Sequence, residues 1–80
     1  MPNGLRVRLT FPETLVKEPL IGRMVREFDV LPNIRRANVE EHAGWIQCEL
    51  EGDPVAVDKA VRWLEQEGVG VELLGGDVLE

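Results

Sequence analysis

Residues 42–54, HAGWIQCELEGDP, hold the pattern that decides how this chain folds. Ile46, Cys48 and Leu50 alternate with Trp45 and polar positions, and a period of two predicts a strand with one buried side. The stretch ends in Asp53–Pro54, a typical helix start because aspartate caps the first turn and proline fits its first position. A strand is therefore predicted to lead directly into a helix.

The segment before this strand completes a hairpin. Residues 34–41 are predicted to form a strand with Ala37 and Val39 pointing inward and with a bulge near Ile34. Residues 42–44 then form a short turn in which Gly44 is available for a positive φ.

A strand and a helix are predicted towards the beginning of the chain. Residues 5–11 alternate apolar positions with Arg6, Arg8 and Thr10, which predicts a half-buried strand that ends at Pro12. Residues 13–18 form a polar connection. Apolar residues from Leu20 onward then recur at helical spacing, and the helix is expected to end near Asp29.

The rest of the chain repeats the order of a helix followed by a strand. Apolar positions 57, 60, 61 and 64 predict a second amphipathic helix, which Gly68 closes. Residues 69–74 alternate as a last strand, and residues 75–80 are expected to be a loose acidic tail. The order βαββαβ predicts one α+β domain over residues 1–80.

This order is typical of the ferredoxin-like sandwich, a four-stranded antiparallel sheet with both helices on one face. The fourth strand should flank the first, the first should flank the third, and the second should lie at an edge. The helix-free side, called the open face below, then carries Arg6 and Arg8 between Gln47 and Glu49 on one side and Glu72 on the other, which predicts a ladder of charges.

The composition and net charge disfavour several classes of function. Fifteen acidic residues against nine basic ones give a net charge of −6, which disfavours nucleic acid because phosphate binding depends on a basic surface. No apolar run is long enough to insert into a membrane. The lone Cys48 allows neither an internal disulfide nor a cysteine-rich metal site, so we expect a cytoplasmic protein without cofactor or metal.

Residues for catalysis are also missing from the sequence. Cys48 occupies an inward strand position, where a small buried side chain is expected, and His42 lies in a turn beside Glu40 and Glu41. No pair of nucleophile and base can be assembled around one histidine. We therefore predict that the domain is not an enzyme.

The chain resembles the NIL domain family, a ferredoxin-like module at the C-terminus of methionine-import ABC ATPases that also occurs alone or fused to ferredoxins. The resemblance covers nearly the whole length in a diffuse pattern. The family takes its name from an Asn-Ile-Leu triplet, which stands here as Asn33 and Ile34 followed by Arg35 instead of leucine. The matching segments are residues 6–11, 19–21, 28–30, 32–34, 60–64 and 71–75.

The resemblance implies that two domains pair and bind methionine at their interface, which inhibits transport. It makes Asn33 the candidate ligand, with Ile34 and Val39 as an apolar wall. Asn33 is equally suited to capping the turn after Pro32. Arg35 and Arg36 are suited to two roles. They can pair with a carboxylate, or they can be exposed charges that protect an edge strand against aggregation. The chain has no Gly-rich loop with Lys and Ser, so it is not the ATPase itself.

Two hypotheses for the function follow. One is a regulatory homodimer that senses methionine or another small amino acid, with a transporter or a ferredoxin-type protein as partner. The other is an interaction module that docks a partner through its sheet edge or open face without a small ligand. In both, Trp45, Leu74 and Arg35 are the expected interface residues.

Overall fold

The computed structural model describes residues 4–15, 18–40 and 42–76. The predicted order of elements is confirmed, with a short 3₁₀ turn, Glu13–Leu15, in place of part of the polar connection. The strands and helices are β1 (Gly4–Phe11), α1 (Leu20–Phe28), β2 (Leu31–Val39), β3 (Gly44–Glu51), α2 (Pro54–Glu67) and β4 (Gly70–Gly76).

The four strands form one antiparallel sheet in the order β2-β3-β1-β4, which confirms the predicted α+β ferredoxin-like arrangement. In the central pair, Val7 lies opposite Cys48 and Arg6 lies opposite Glu49. Since side chains alternate along a strand, this register puts the apolar residues of both strands on one side and their charged residues on the other.

The hydrophobic core lies between the sheet and the two helices. The central strands contribute Val7, Leu9 and Leu50, and the helices contribute Met24 and Leu64, all without exposed surface. Burying a side chain of this size stabilises a fold by about 1.5–3 kcal/mol. The helices therefore pack over the middle of the sheet and leave its other side open.

The helix ends follow the sequence signals. The Asp53 carboxylate accepts hydrogen bonds from the backbone N–H groups of Val55 and Ala56, at 3.1 and 3.3 Å, and so caps α2. Gly68 ends α2 in the left-handed region, with φ of 103°, and Asp29 ends α1 with φ of 57°. Both predicted ends are confirmed.

Strand β2 differs from its prediction in two ways. It begins at Leu31, earlier than Ile34, because Pro32 is tolerated at a sheet edge, where no ladder bond is lost. Ala37 and Val39 do lie on the side of the helices, opposite Ile46 and Gly44, but they are exposed, and Val39 keeps 67% of its surface. Their predicted inward, buried position is wrong because the helices cover the central strands rather than this edge.

Each outer strand contains one extra residue. The pairing of β2 with β3 shifts between Ile34 and Arg36, so that Arg35 is the extra residue and the predicted bulge is confirmed. The pairing of β4 with β1 shifts in the same way at Leu74, because Leu73 lies opposite Val7 while Gly75 lies opposite Arg6.

The end of β4 corrects the predicted tail. Gly75 and Gly76 belong to the strand, since they pair with Arg6 and Leu5 of β1. The remainder of the predicted loose segment, residues 77–80, lies outside the described residues. Within the described parts of the chain, neither helix has the length and apolar character needed to cross a membrane.

Candidate ligand-binding and interaction surface

The open face carries the charged residues of the central strands. Arg6 Nε lies 3.6 Å from Glu49 Oε2, so one rung of the predicted ladder is present. Arg8 takes a different partner, because its guanidinium carbon lies 4.4 Å from the centroid of the Trp45 ring. A cation over an aromatic face is stabilised by about 0.5–1 kcal/mol at an exposed site, so the pair orders this part of the open face.

A depression of about 580 Å³ lies on this face, and we call it the arginine cleft. Its charged residues are Arg6, Arg35, Arg36 and Glu49, and Gln47, Cys48 and Leu74 complete its lining. The Glu49 carboxylate serves two cations, since Arg35 Nη2 lies 3.6 Å from its Oε1 atom. The Arg6 and Arg35 side chains keep 69% and 65% of their surface, so the cleft is accessible to solvent. Exposed ion pairs of this length contribute little to folding.

The three predicted ligand residues do not converge on one pocket within a single chain. Asn33 pairs with Glu49 in the sheet, and its Nδ2 atom donates to Glu51 Oε2 at 3.4 Å on the open face. Ile34 lies opposite Cys48 on the helix side and is 50% exposed. Since consecutive strand residues point to opposite faces, Asn33 and Ile34 border the two sides of the same edge. Asn33 lies within β2, so its alternative role as a turn cap is not observed.

Val39 lies near the other end of β2, on the same side as Ile34. It lines an apolar crevice of about 90 Å³ together with Phe11, Ile21 and Ile46. The lining of this crevice is mostly apolar, which suits a hydrocarbon or thioether chain.

The three predicted interface residues divide into two groups. Arg35 and Leu74 both line the arginine cleft, although they come from opposite edges of the sheet. Trp45 is half-buried and lies opposite Thr10 and Asn38, at the other end of β3. Leu74 is 39% exposed, so the cleft also has an apolar wall.

The Cys48 thiol and the His42 imidazole are the remaining side chains that sequence analysis considered for chemistry. Burial raises the pKa of the Cys48 thiol from 9.0 to about 11, which keeps it protonated and unreactive at neutral pH. His42 Nδ1 lies 2.8 Å from Glu13 Oε2, a contact that sequence spacing does not reveal because the two residues are far apart in the chain. Among the residues that the structure describes, no group of three or more His, Cys, Asp or Glu side chains is placed to hold a metal ion.

The fold defines a small α+β domain of the ferredoxin-like class. The sequence model of the NIL domain matches residues 5–73, and the chain belongs to the NIL domain family. A solved structure, the C-terminal domain of an ABC transporter ATP-binding protein from Enterococcus faecalis, is 30% identical, with a TM-score of 0.79 over 91% of this chain and 86% of that one.

Curated relatives agree with this assignment. The chain is 36% identical over 91% of its length to the methionine import ATP-binding protein MetN of Symbiobacterium thermophilum, and 35% identical over 89% to MetN 2 of Acinetobacter baylyi. It spans only 23% and 22% of the length of those relatives. The similarity therefore concerns one domain of a longer protein.

Proposed function

We propose that this domain is a non-enzymatic regulatory module that binds methionine or a related amino acid between two copies of the chain. The main support is the edge strand β2, which carries Asn33 and Ile34 of the family triplet, both exposed, in a domain related to methionine import proteins. An ATP-binding transporter subunit of that kind is the proposed partner, and a ferredoxin-type protein is the other candidate.

The edge strand offers both kinds of group that an amino acid requires. The Asn33 amide and the Arg35 and Arg36 guanidinium groups suit the charged end of the ligand, and Ile34 and Val39 suit its apolar side chain. These groups lie on opposite sides of one edge. A single copy therefore presents only part of a pocket on each side, and a second copy would have to supply the rest, which is why the proposal requires a dimer.

Thermal unfolding with and without ligand tests this proposal. Methionine that binds only the folded dimer should raise the Tm as its concentration rises above the dissociation constant, since binding at 100-fold excess stabilises by about 2.7 kcal/mol. Asn33→Ala should abolish the rise and leave the ligand-free Tm nearly unchanged. Asn38→Ala is the matched control, because Asn38 is an exposed asparagine on the same face of the same strand.

The proposal fails if no common amino acid shifts the Tm, or if Asn38→Ala abolishes the shift as completely as Asn33→Ala. Sedimentation gives a second test. A protein that stays monomeric at about 50 µM, with methionine present in excess, has no intersubunit pocket at concentrations where weak dimers form.

A second candidate function is supported by the apolar residues along the same edge. Leu31, Ile34 and Val39 are 55%, 50% and 67% exposed, and an edge strand with free backbone groups can pair with a strand of another protein. In that case the chain docks a partner without a small ligand. Absence of any Tm shift with amino acids, together with loss of partner binding on Ile34→Lys, would favour this function.

A further inference from the structure

The two bulges lie at the same level of the sheet. Arg35 interrupts β2 beside Cys48 of β3, and Leu74 interrupts β4 beside Val7 of β1. Val7 and Cys48 are themselves partners in the central pair. A bulge turns a side chain away from the regular alternation, and here both extra side chains line the arginine cleft. The bulges at both edges of the sheet therefore contribute side chains to the same arginine cleft.

The charge in the cleft has the opposite sign to that of the protein. Arg6, Arg35 and Arg36 line the cleft together with one carboxylate, that of Glu49, and three positive charges less one leave two in excess. The whole chain carries −6. Within the described residues Arg36 makes no ion pair, and the two contacts to Glu49, at 3.6 Å, are longer than a strong charge-assisted hydrogen bond.

We infer that the arginine cleft binds a small organic anion that carries carboxylate or phosphate groups, with its apolar part against Leu74. Guanidinium groups match the planar geometry of carboxylate and the oxygens of phosphate, and two excess positive charges suit a ligand with one or two negative charges. A long polyanion such as nucleic acid is disfavoured, because most of it would lie against an acidic protein.

This site shares Arg35 and Arg36 with the proposed amino acid site, but it requires neither the apolar wall of that site nor a second copy of the chain. The apolar residues assigned to methionine, Ile34 and Val39, lie on the helix side of the sheet, whereas the arginine cleft is on the open face. The site is complete within one chain. Titration of the protein with a simple anion in the absence of methionine therefore tests the cleft alone.

A nuclear magnetic resonance titration of the whole chain, followed through backbone amide signals at pH 7.5 and low ionic strength, provides the test. The probes are succinate and inorganic phosphate, with sodium chloride at equal ionic strength as the reference. We expect saturable shifts at β2, β3 and β1 around the cleft, with a Kd of about 1 mM or below for at least one probe. A response to succinate alone identifies a carboxylate ligand, and a response to phosphate alone identifies a phosphate ligand.

Three variants decide whether the shifts come from the cleft. Arg36→Gln should weaken binding about three- to tenfold, since it removes a cation that has no ion pair within the described residues. Arg26→Gln makes the same charge change on an exposed residue of α1 and should leave the Kd within about twofold. Glu49→Gln removes the competing carboxylate and should tighten binding.

The inference is overturned if neither probe gives saturable shifts at about 20 mM, a concentration well above the expected Kd. Equal weakening by Arg36→Gln and Arg26→Gln would also overturn it, because binding would then follow net charge alone. Weaker binding by Glu49→Gln in a protein with unchanged amide dispersion would have the same meaning. Glu49→Gln therefore keeps the inference testable even if Arg36→Gln fails to fold.

Discussion

The guanidinium group of Arg8 lies over the indole ring of Trp45, with its central carbon 4.4 Å from the ring centroid. Arg23 lies in a similar way over Trp63, at 5.1 Å. The two residues of each pair come from neighbouring elements, β1 with β3 and α1 with α2. Both tryptophans of the chain are therefore half-buried beneath an arginine, and within the described residues Arg8 makes no ion pair of the ladder that alternation alone predicts.

A double-mutant cycle tests the first of these pairs. Arg8→Gln and Trp45→Leu should each lower the free energy of unfolding in urea, and the coupling between them should be about 0.5–1 kcal/mol. The matched cycle uses Arg6→Gln with Trp45→Leu, since Arg6 pairs with Glu49 and does not stack on the ring. Equal coupling in the two cycles would show that general charge, rather than stacking, stabilises this face.

The cap of α2 gives a second prediction. Asp53→Ala should lower the free energy of unfolding by about 0.5–2 kcal/mol, because two backbone N–H groups lose their acceptor. Asp58→Ala, which removes an exposed carboxylate paired with Arg62 inside the same helix, should cost about 0.5 kcal/mol or less. Urea unfolding of both variants measures the difference, and equal losses would contradict the capping role.

Two glycine substitutions should have opposite effects on the Tm. Gly22 is exposed in α1 with open space around its missing Cβ, so Gly22→Ala should stabilise by about 0.5–1 kcal/mol and raise the Tm by several degrees. Gly68→Ala should lower the Tm, because φ of 103° strains an alanine and its Cβ would lie 3.3 Å from Leu15 Cδ1. Differential scanning calorimetry measures both, and a gain with Gly68→Ala would contradict the assigned end of α2.

The raised pKa of the Cys48 thiol predicts that the folded protein loses stability at alkaline pH. Its pKa is raised to about 11 in the folded chain, so between pH 9 and 11 the unfolded chain gives up the proton while the folded chain keeps it. The free energy of unfolding should therefore fall as the pH rises through this window. Cys48→Ala lacks the group and should show a shallower fall, measured by urea unfolding at several pH values. Parallel pH profiles for the two proteins would contradict the assignment.

The fold was predictable from sequence because its signals are local and agree with one another. The alternation at Ile46, Cys48 and Leu50, the cap at Asp53 and the closing Gly68 all indicated elements that the structure confirms. The position of β2 at an edge also followed from the order of elements. What failed was burial on that strand, since alternation shows which side Val39 faces and does not show whether a helix covers it.

The candidate site was less predictable because it depends on pairing between distant strands. The family resemblance indicated Asn33, Ile34 and Val39, yet the sequence did not show that Asn33 and Ile34 point to opposite faces. The bulge at Leu74 has no local signal, because Leu73 and Leu74 are equally suited to either side of a strand. The shared partner of Arg6 and Arg35 became apparent only from the register of three strands.

Because each outer strand contains one extra residue, the shape of the open face depends on the number of residues in those two strands. Removing one residue from β2 or β4 would restore a regular ladder and turn a lining side chain to the opposite surface. Homologous domains can therefore be sorted by counting residues between fixed pairing positions, without any structure. Domains with the shorter spacing should have a flat open face and should not bind the anions that we expect this chain to bind.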